Sequence, residues 1–285
     1  MQEPILVIGS SGIIGGAVSR RLQQAGYNTR CATRNPERSD LAGETVHFDW
    51  DLPNTFAGAV AGVKQVVMVL RNLDVCAVSA VVPFLKECRQ AAVEHVLFIS
   101  ALDADRQRVG PMGLSESILR SSGLQWTILR PNFLMENFSH GWLSYAIQGN
   151  GSIDLPAGKG RTSFVSVVDV AEVVEQVMKR PELREVCHDL TGDDPMSHTA
   201  VAAALTRASG RPVNFHDLSE DQMREQGLRG GLPVGQLEYL LALYAMVKDG
   251  GVERKSSAIK DLLGRKPRSF DDFAQANANV WRVGP

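Results

Sequence analysis

The first fifteen residues contain the pattern that most constrains the fold of this chain. Four apolar residues, Ile5–Ile8, are followed by Gly9-Ser10-Ser11-Gly12-Ile13-Ile14-Gly15, and a segment of helical periodicity begins at Ile13. An apolar run that leads directly into a glycine-rich turn and a helix is typical of a strand–turn–helix unit. The pattern therefore predicts a buried first strand, with a helix that begins just beyond its carboxyl end.

The spacing of the three glycines indicates what this turn binds. Gly9 lies where the chain must turn sharply, Gly12 lets backbone amides approach a bulky anion, and Gly15 lets the helix pack on the strand. Glycine has these roles where the pyrophosphate of a dinucleotide binds at a helix N-terminus. The spacing Gly-x-x-Gly-x-x-Gly differs from the commoner Gly-x-Gly-x-x-Gly, and a tight turn without a ligand is the alternative. The expected ligand contacts are Gly9, Ser10, Ser11, Gly12, Ile13 and Ile14.

Short apolar runs alternate with amphipathic segments through the first half of the chain. The runs predicted as strands are Ile5–Ile8, Thr29–Thr33, Thr45–Phe48, Gln65–Leu70, His95–Ile99 and Trp126–Leu129. The segments predicted as helices are Ile13–Ala25, Asn54–Ala61, Cys76–Ala92 and Leu114–Ser121. Nearly continuous apolar strands are typical of a parallel sheet covered by helices on both faces. The sequence therefore predicts an α/β fold with a doubly wound, Rossmann-like parallel sheet.

A smaller, mainly helical C-terminal lobe is predicted after this sheet. We place an NAD(P)-binding domain at residues 1–150 and a substrate-binding lobe at residues 151–285. Strands predicted near residues 162–167 and 186–190 are expected to pack back on the first domain, and Asp169 is predicted to cap a helix over 170–179. The later helices are predicted at Thr199–Ala208, Glu220–Gln226, Gln236–Val247, Ser256–Leu263 and Phe270–Ala278.

Composition and charge argue against several classes of protein. The formal net charge is −2, whereas nucleic-acid-binding proteins are typically basic. The apolar runs are too short to cross a bilayer, and the N-terminal sequence does not have the pattern of a secretory signal. The cysteines are scattered, without the spacing of a metal site: Cys31, Cys76, Cys88 and Cys187. We therefore expect a cytoplasmic monomer or homodimer that acts on a small molecule, with no metal, nucleic-acid or membrane partner.

The end of the second predicted strand distinguishes the two nicotinamide dinucleotides. NAD sites have an Asp or Glu there that binds the ribose hydroxyls, whereas this chain has Cys31-Ala32-Thr33-Arg34-Asn35-Pro36-Glu37-Arg38. Guanidinium groups suit bidentate binding of phosphate. We therefore predict that NADP(H) is preferred over NAD(H), with Arg34 as the main phosphate contact, Arg38 as a second and Thr33 as a hydroxyl donor. The alternative is that both arginines are solvated loop residues.

Several segments together resemble the NmrA-like branch of the atypical short-chain dehydrogenase/reductase superfamily. These segments are Ile5–Gly16, Ala32–Arg38, Ser122–Phe133, Met135–Phe138 and Val168–Ala171, and the likeness spans about residues 1–180. Phe48-Asp49-Trp50 and the chain length also resemble bacterial relatives of the festuclavine reductases. The resemblance implies further cofactor contacts where strands end, with an acid near the adenine. These contacts are Asp49, Leu70, Arg71, Asn72, Ser100, Ala101, Pro131, Asn132 and Phe133.

The chain departs from the Tyr-x-x-x-Lys pair that many reductases of this superfamily use for proton donation. Met112 and Glu116 stand where the tyrosine and lysine belong. Tyr244 and Lys248 have the same spacing, but they lie in the C-terminal helices, and we interpret the match as coincidence. Either the substrate needs no strong protein acid, as for an iminium or a quinone, or another group or water supplies the proton. The candidate donors are Ser100, Glu116, His140 and Tyr145.

Three of these donors also have a structural interpretation: a charge in the first helical turn for Glu116, an exposed loop for His140, and a core or pocket wall for Tyr145. We predict an NADPH-dependent reductase of a small cyclic or aromatic substrate: a quinone, imine or iminium, enone or ketone. The alternatives are a non-catalytic NADP(H)-sensing regulator, as the resemblance allows, and an isomerase or cyclase that retains NADP. The predicted substrate contacts are Asn72, Met112, Phe133, Phe138, Trp142, Tyr145 and Phe164, and the aromatic residues among them could equally be core residues.

Overall fold

The chain folds into two compact units. The computed structural model describes residues 3–38, 40–71, 78–106 and 110–282. The first unit comprises Met1–Pro131 with Val167–Leu190, and the second comprises Asn132–Ser166 with Thr191–Pro285. This division differs from the predicted boundary at residue 150. Residues 132–150 belong to the second unit because Leu143 and Ile147 are buried in its apolar core.

The secondary structure follows the predicted alternation through the first half of the chain. The strands are β1 (Ile5–Ile8), β2 (Thr29–Thr33), β3 (Glu44–His47), β4 (Gln65–Val69), β5 (His95–Ile99), β6 (Gln125–Pro131), β7 (Ser152–Leu155), β8 (Arg161–Thr162), β9 (Val186–Leu190), β10 (Met196–Ser197) and β11 (Asn214–Asp217). The helices are α1 (Ile13–Gln24), α2 (Phe56–Val60), α3 (Val78–Gln90), α4 (Pro111–Arg120), α5 (Gly141–Asn150), α6 (Val167–Lys179), α7 (His198–Ser209), α8 (Glu220–Arg229), α9 (Val234–Lys248), α10 (Ala258–Leu263), α11 (Phe270–Ala276) and α12 (Ala278–Trp281).

The first unit is built on a seven-stranded sheet in the order β3-β2-β1-β4-β5-β6-β9. Every neighbouring pair is parallel, and Ile5 of β1 lies between Thr29 of β2 and Gln65 of β4. The direction in which successive strands are added reverses between β1 and β4. Open α/β sheets bind ligands at such a switch point, beyond the carboxyl ends of the strands. The predicted doubly wound, Rossmann-like fold is confirmed.

Both faces of this sheet are covered. On one face Leu6 and Ile8 of β1 are buried in a core that includes the edge-to-face aromatic pair Phe56 and Phe84, with ring centroids 5.6 Å apart. Burial of each such side chain contributes about 1.5–3 kcal/mol. Helix α1 packs against α6, and the buried carboxylate of Glu175 on α6 pairs with a guanidinium on α1. The first strand is therefore enclosed, and its carboxyl end leads into the glycine turn.

The second unit combines helices with two short strand pairs. Strand β7 pairs in parallel with β11, and β8 pairs antiparallel with β10. The strand predicted at 162–167 is therefore shorter, and it lies in the second unit. Helix α6 begins at Val167, so Asp169 lies in its first turn rather than at its cap. The core of the second unit is aromatic, and the Trp281 indole donates a 2.7 Å hydrogen bond to the carbonyl of Phe138.

Two features are absent from the part of the chain that the structure describes, a membrane-spanning helix and a cluster of metal ligands. None of the helices there has the length and apolar character needed to span a bilayer. Within the same ranges no group of three or more His, Cys, Asp and Glu side chains is arranged to hold a metal ion. Cys31, Cys88 and Cys187 are free thiols, while Cys76 lies outside the described residues.

Candidate functional site

Two positions in and beside the turn after β1, Gly9 and Gly15, require glycine. Gly9 has φ of +73°, a conformation that side chains disfavour, and its carbonyl accepts a 2.9 Å hydrogen bond from the amide of Gly12. A Cβ atom on Gly15 would lie 2.2 Å from the carbonyl oxygen of Gly9. Because that neighbour is backbone, it cannot rotate away. The glycine at position 15 thus permits the close packing of α1 on the turn that the sequence predicts.

The N-terminus of α1 is open to an anion. Its N-cap, Gly12, is extended and provides no side-chain cap, and the first turn contains no acidic residue. The first amides of a helix have no partner within it and carry part of the helix dipole, which favours negative charge. Ser11 and Gly12 are exposed, and Ile13 and Ile14 are half-buried. The Ser10 hydroxyl donates a 2.9 Å hydrogen bond to the carbonyl of Ala32, which ties the turn to β2. These features fit the pyrophosphate of a dinucleotide.

The arginines after β2 differ in their surroundings. Arg38 is exposed and pairs with Asp40 through two hydrogen bonds, one of them 2.8 Å long from Nε to Oδ1. Its guanidinium lowers the pKa of the Asp40 carboxyl below the usual value. Arg34 is also exposed, but it makes no hydrogen bond to another described residue. The buried Thr33 hydroxyl accepts from the amide of Asn35 at 3.2 Å. Arg34 is therefore the cation available to a phosphate at this strand end.

The segments after β3 and β4 are joined by an ion pair. The Arg71 guanidinium donates to both oxygens of Asp51, at 2.5 and 2.8 Å, and its hydrogen bonds lower the pKa of that carboxyl. Asp49 is half-buried, and its Oδ1 accepts from the amide of Asp51 at 3.0 Å. Leu70 is buried, and Asn72 lies outside the described residues. The predicted cofactor residue Arg71 is thus already engaged by a carboxylate.

A buried polar network lies near the ends of β5 and β6. Glu116 of α4 accepts hydrogen bonds from the Ser100 hydroxyl at 2.7 Å and from the Arg130 guanidinium at 2.9 and 2.6 Å. All three side chains are buried. Burial acts to lower the pKa of Arg130, but its hydrogen bonds and charge pairing with Glu116 outweigh this and raise that pKa. Arg130 also lies 3.1 Å from Asp105 of the loop after β5.

This network bears on the proton donor. Both carboxylate oxygens of Glu116 accept hydrogen bonds from Arg130 within the buried network, and the Ser100 hydroxyl donates its hydrogen to one of them. Met112, at the position of the absent tyrosine, is half-buried against the apolar core. Ala101 is half-buried, and the Pro131 carbonyl accepts from the amide of Leu102 at 3.0 Å. The arrangement argues against Ser100 and Glu116 as proton donors.

Two predicted substrate contacts of the second unit are core residues in the structure. Phe138 and Phe164 are 1% and 3% exposed, and their ring centroids lie 5.4 Å apart. Side chains so enclosed offer no surface to a ligand, so this part of the predicted substrate surface is not supported. The sequence does not distinguish an enclosed aromatic residue from a pocket wall, since both occur at helical spacing.

The other predicted residues of the second unit present surface. Trp142 and Tyr145 are 49% and 72% exposed on α5, at a spacing that places them on one helix face. His140 is exposed at the start of α5, with its Nδ1 atom 2.9 Å from the Ser139 hydroxyl. Phe133 is half-buried, with its ring centroid 6.0 Å from that of Tyr244. Asn132 is buried and donates to the carbonyl of Val252 at 2.9 Å.

Sequence reasoning assigned no role to Asp51 or to Arg130. A signal for Arg130 was present, because it ends the apolar run Trp126-Thr127-Ile128-Leu129. A charge at the end of a strand predicted to be buried on both faces needs a partner of opposite charge. Asp51 gave no comparable signal, since it reads as an ordinary loop acid. Its partner comes from a different strand end.

Comparison with known proteins agrees with this geometry. The model of a family described as NAD(P)H-binding matches residues 9–181, from the glycine turn to the segment just after α6. The chain belongs to this NAD(P)H-binding family. It is 30% identical to the uncharacterized oxidoreductase YesF of Bacillus subtilis (strain 168), over 98% of this chain and 97% of that protein. It is 29% identical to the agroclavine dehydrogenase of Claviceps fusiformis, over 97% and 98% of the two chains.

A solved structure shares the fold. The NADPH-dependent quinone oxidoreductase QOR2 of Escherichia coli, complexed with NADPH, matches with a TM-score of 0.83 at 21% identity, over 95% of this chain and 99% of that one. The predicted activity class, an NAD(P)H-dependent oxidoreductase, is confirmed. The predicted NmrA-like resemblance agrees with the fold, because the structure of NmrA, a negative transcriptional regulator, in complex with NAD matches with a TM-score of 0.74 at 14% identity, over 96% of this chain and 95% of that one.

Proposed function

We propose that this oxidoreductase reduces a flat, conjugated organic acceptor, such as a quinone or a cyclic iminium, with NADPH. Bound NADPH would supply the hydride. The residues of this chain would hold the dinucleotide, orient it and exclude water. The observation that carries the proposal is the Glu116–Arg130 ion pair. Glu116 stands at the position of the lysine in a Tyr-x-x-x-Lys pair, and Met112 stands at the position of the proton-donating tyrosine.

The cofactor assignment rests on the turn and on Arg34. The N-terminus of α1 is uncapped, and Gly9 and Gly15 let the turn pack closely against it. This arrangement suits the pyrophosphate. The exposed Arg34 at the end of β2 suits the 2′-phosphate that distinguishes NADPH from NADH. Both features belong to the first unit, so this part of the proposal does not depend on the second.

The acceptor class follows from whether the reduced product needs a proton and whether the site has an acid to supply it. A ketone becomes an alkoxide on hydride transfer and needs an acid within reach, whereas an iminium becomes a neutral amine and a quinone a delocalised anion. The first unit offers Met112 and the occupied Glu116 in place of an acid. The second unit would contribute substrate contacts, with Trp142 and Tyr145 as exposed aromatic surface.

The acceptor is tested by following the nicotinamide absorbance of NADPH with a panel of quinones, cyclic iminium salts, enones and saturated ketones. We expect turnover with quinones or iminium ions at a kcat/KM at least tenfold above that for ketones. Tight NADPH binding without oxidation by any acceptor would favour the NADP(H)-sensing regulator. Preference for saturated ketones would contradict the proton argument.

The cofactor preference is tested separately by titration. We expect Arg34→Ala to weaken NADPH binding about tenfold and to leave NADH binding nearly unchanged, because only NADPH carries the 2′-phosphate. Arg89→Ala, which removes an exposed arginine from α3, is the matched control. Equal losses for both nucleotides would contradict the assignment of Arg34.

A further inference from the structure

The Asp51–Arg71 ion pair bridges the predicted nucleotide site. Asp51 follows β3 and Arg71 follows β4, and the sheet order places β2 and β1 between those two strands. The pair therefore joins two strand ends across the carboxyl ends of β2 and β1. The glycine turn follows β1 and Arg34 follows β2, so both lie at the strand ends that the ion pair crosses. A dinucleotide held by the turn, with its adenosine toward β2, would meet this pair.

The Asp51 carboxylate faces two cations. Arg71 holds it with two hydrogen bonds, and the charge of Arg34, from the end of β2, also acts on it and lowers its pKa. The side chain of Asp51 is 66% exposed and that of Arg71 is 36% exposed, so solvent and ligands reach both. Arg38 is already paired with Asp40. Arg34 and Arg71 are therefore the cations on which a carboxylate and a phosphate would compete.

We propose that Asp51 is a specificity residue that weakens the preference for NADPH over NADH, because it binds Arg71 and places a negative charge near Arg34, the two cations suited to the 2′-phosphate. The proposal rests on the proposed nucleotide site. Carboxylate and phosphate oxygens accept hydrogen bonds from guanidinium in the same bidentate manner, so one substitutes for the other. The 2′-phosphate must displace Asp51 from Arg71, or bind beside its negative charge. NADH has no 2′-phosphate and meets neither cost.

The two partners of this pair should have opposite effects. Asp51→Asn removes a negative charge near Arg34 and removes the carboxylate that competes with phosphate for Arg71, so the affinity for NADPH should rise. Arg71→Met leaves the Asp51 charge without its main partner, so Arg34 becomes its counterion and the affinity for NADPH should fall. An ion pair with only a structural role would change the binding of both nucleotides in the same direction, whichever partner was removed.

The experiment measures dissociation constants for NADPH, NADH, 2′,5′-ADP and 5′-AMP with the full chain and with both variants. We expect the ratio of the NADH constant to the NADPH constant to rise about threefold to tenfold in Asp51→Asn and to fall similarly in Arg71→Met. The same changes should occur between 2′,5′-ADP and 5′-AMP, and they should shrink at 0.5 M salt because exposed charges are screened, with a Debye length of about 3–10 Å.

The control is Asp271→Asn, which removes one charge from an exposed ion pair with Arg207 in the second unit and should leave the ratio unchanged. The inference is overturned if Asp51→Asn leaves the ratio unchanged, or if both variants shift it in the same direction, while the unmodified protein binds NADPH. Absence of binding by the unmodified protein would instead remove the proposed function. Thermal melts of the variants confirm that they are folded.

Discussion

Removal of Arg130 tests whether the buried network near β5 and β6 is held together by charge. In Arg130→Met, the Glu116 carboxylate loses its two guanidinium hydrogen bonds, although its side chain is only 4% exposed. The Ser100 hydroxyl would remain, and Arg120 lies 3.8 Å away with 41% of its side chain exposed. Breaking a buried ion pair by removing one partner costs about 3–5 kcal/mol, because a buried charge is left uncompensated.

The assay is urea unfolding followed by circular dichroism, with the unmodified protein in parallel. We expect Arg130→Met to lose about 3–5 kcal/mol of unfolding free energy, which corresponds to a drop in melting temperature of about 10 °C for a chain of this size. The double variant Glu116→Met/Arg130→Met should regain most of this loss, since the enclosed carboxylate is removed together with its partner, while Asp105 and Asp189, the other acids near Arg130, are 49% and 28% exposed. Arg120→Met should cost at most about 1 kcal/mol, as expected for a partly exposed pair.

The order of the variants in unfolding free energy decides the outcome. If Arg130→Met loses less than about 1 kcal/mol, Glu116 finds another partner and the network is not charge-dependent. If the double variant is less stable than Arg130→Met, the packing of the long side chains matters more than their charges. Either result would also weaken the argument that Glu116 is unavailable as a proton donor.

Three further predictions concern other parts of the molecule. Gly15→Ala should abolish NAD(P)H binding in a titration, because the added Cβ would lie 2.2 Å from the Gly9 carbonyl oxygen. The control Gly58→Ala should bind normally, because no atom lies within 4 Å of its added Cβ. Burial lowers the pKa of His95 from 6.5 to about 4, so the unfolded chain binds more protons between these values. Stability should therefore be complete above pH 6.5 and fall by about 2 kcal/mol by pH 5, and urea unfolding of His95→Gln should lack this component. Trp142→Ala should change the melting temperature by less than about 2 °C, because the side chain is 49% exposed, and should raise KM for an aromatic acceptor; an unchanged KM would remove Trp142 from the substrate surface.

Much of the first unit could be predicted because its strands are short, apolar and separated by amphipathic helices. The strands at Ile5–Ile8, Thr29–Thr33, His95–Ile99 and Val186–Leu190 have their predicted bounds. The glycine turn could be predicted equally well, since the close backbone approach at Gly15 excludes any side chain there. Here local pattern and tertiary packing require the same residues, so the sequence was sufficient.

The second unit was harder to read because its pairing is non-local. Strands β7 and β11 are four residues each and lie about sixty residues apart in the chain, and neither has strong alternation. Helix α6 extends to Val167 because apolar residues of its first turn are buried in the fold, which the capping signal of Asp169 did not reveal. In the same way, the partners of Arg130 and Asp51 come from other elements, and a single sequence does not pair them.

The return of the chain to the first unit has a consequence for biosynthesis. Residues 167–190 supply α6 and the seventh strand of the sheet only after the first part of the second unit has been made. While the nascent chain is shorter than this, the outer edge of β6 has no neighbour, and an open apolar edge is a template for pairing with another chain. A polypeptide truncated near residue 150 should therefore aggregate rather than form a soluble nucleotide-binding fragment, and chaperone capture should be greatest until residue 190 leaves the ribosome.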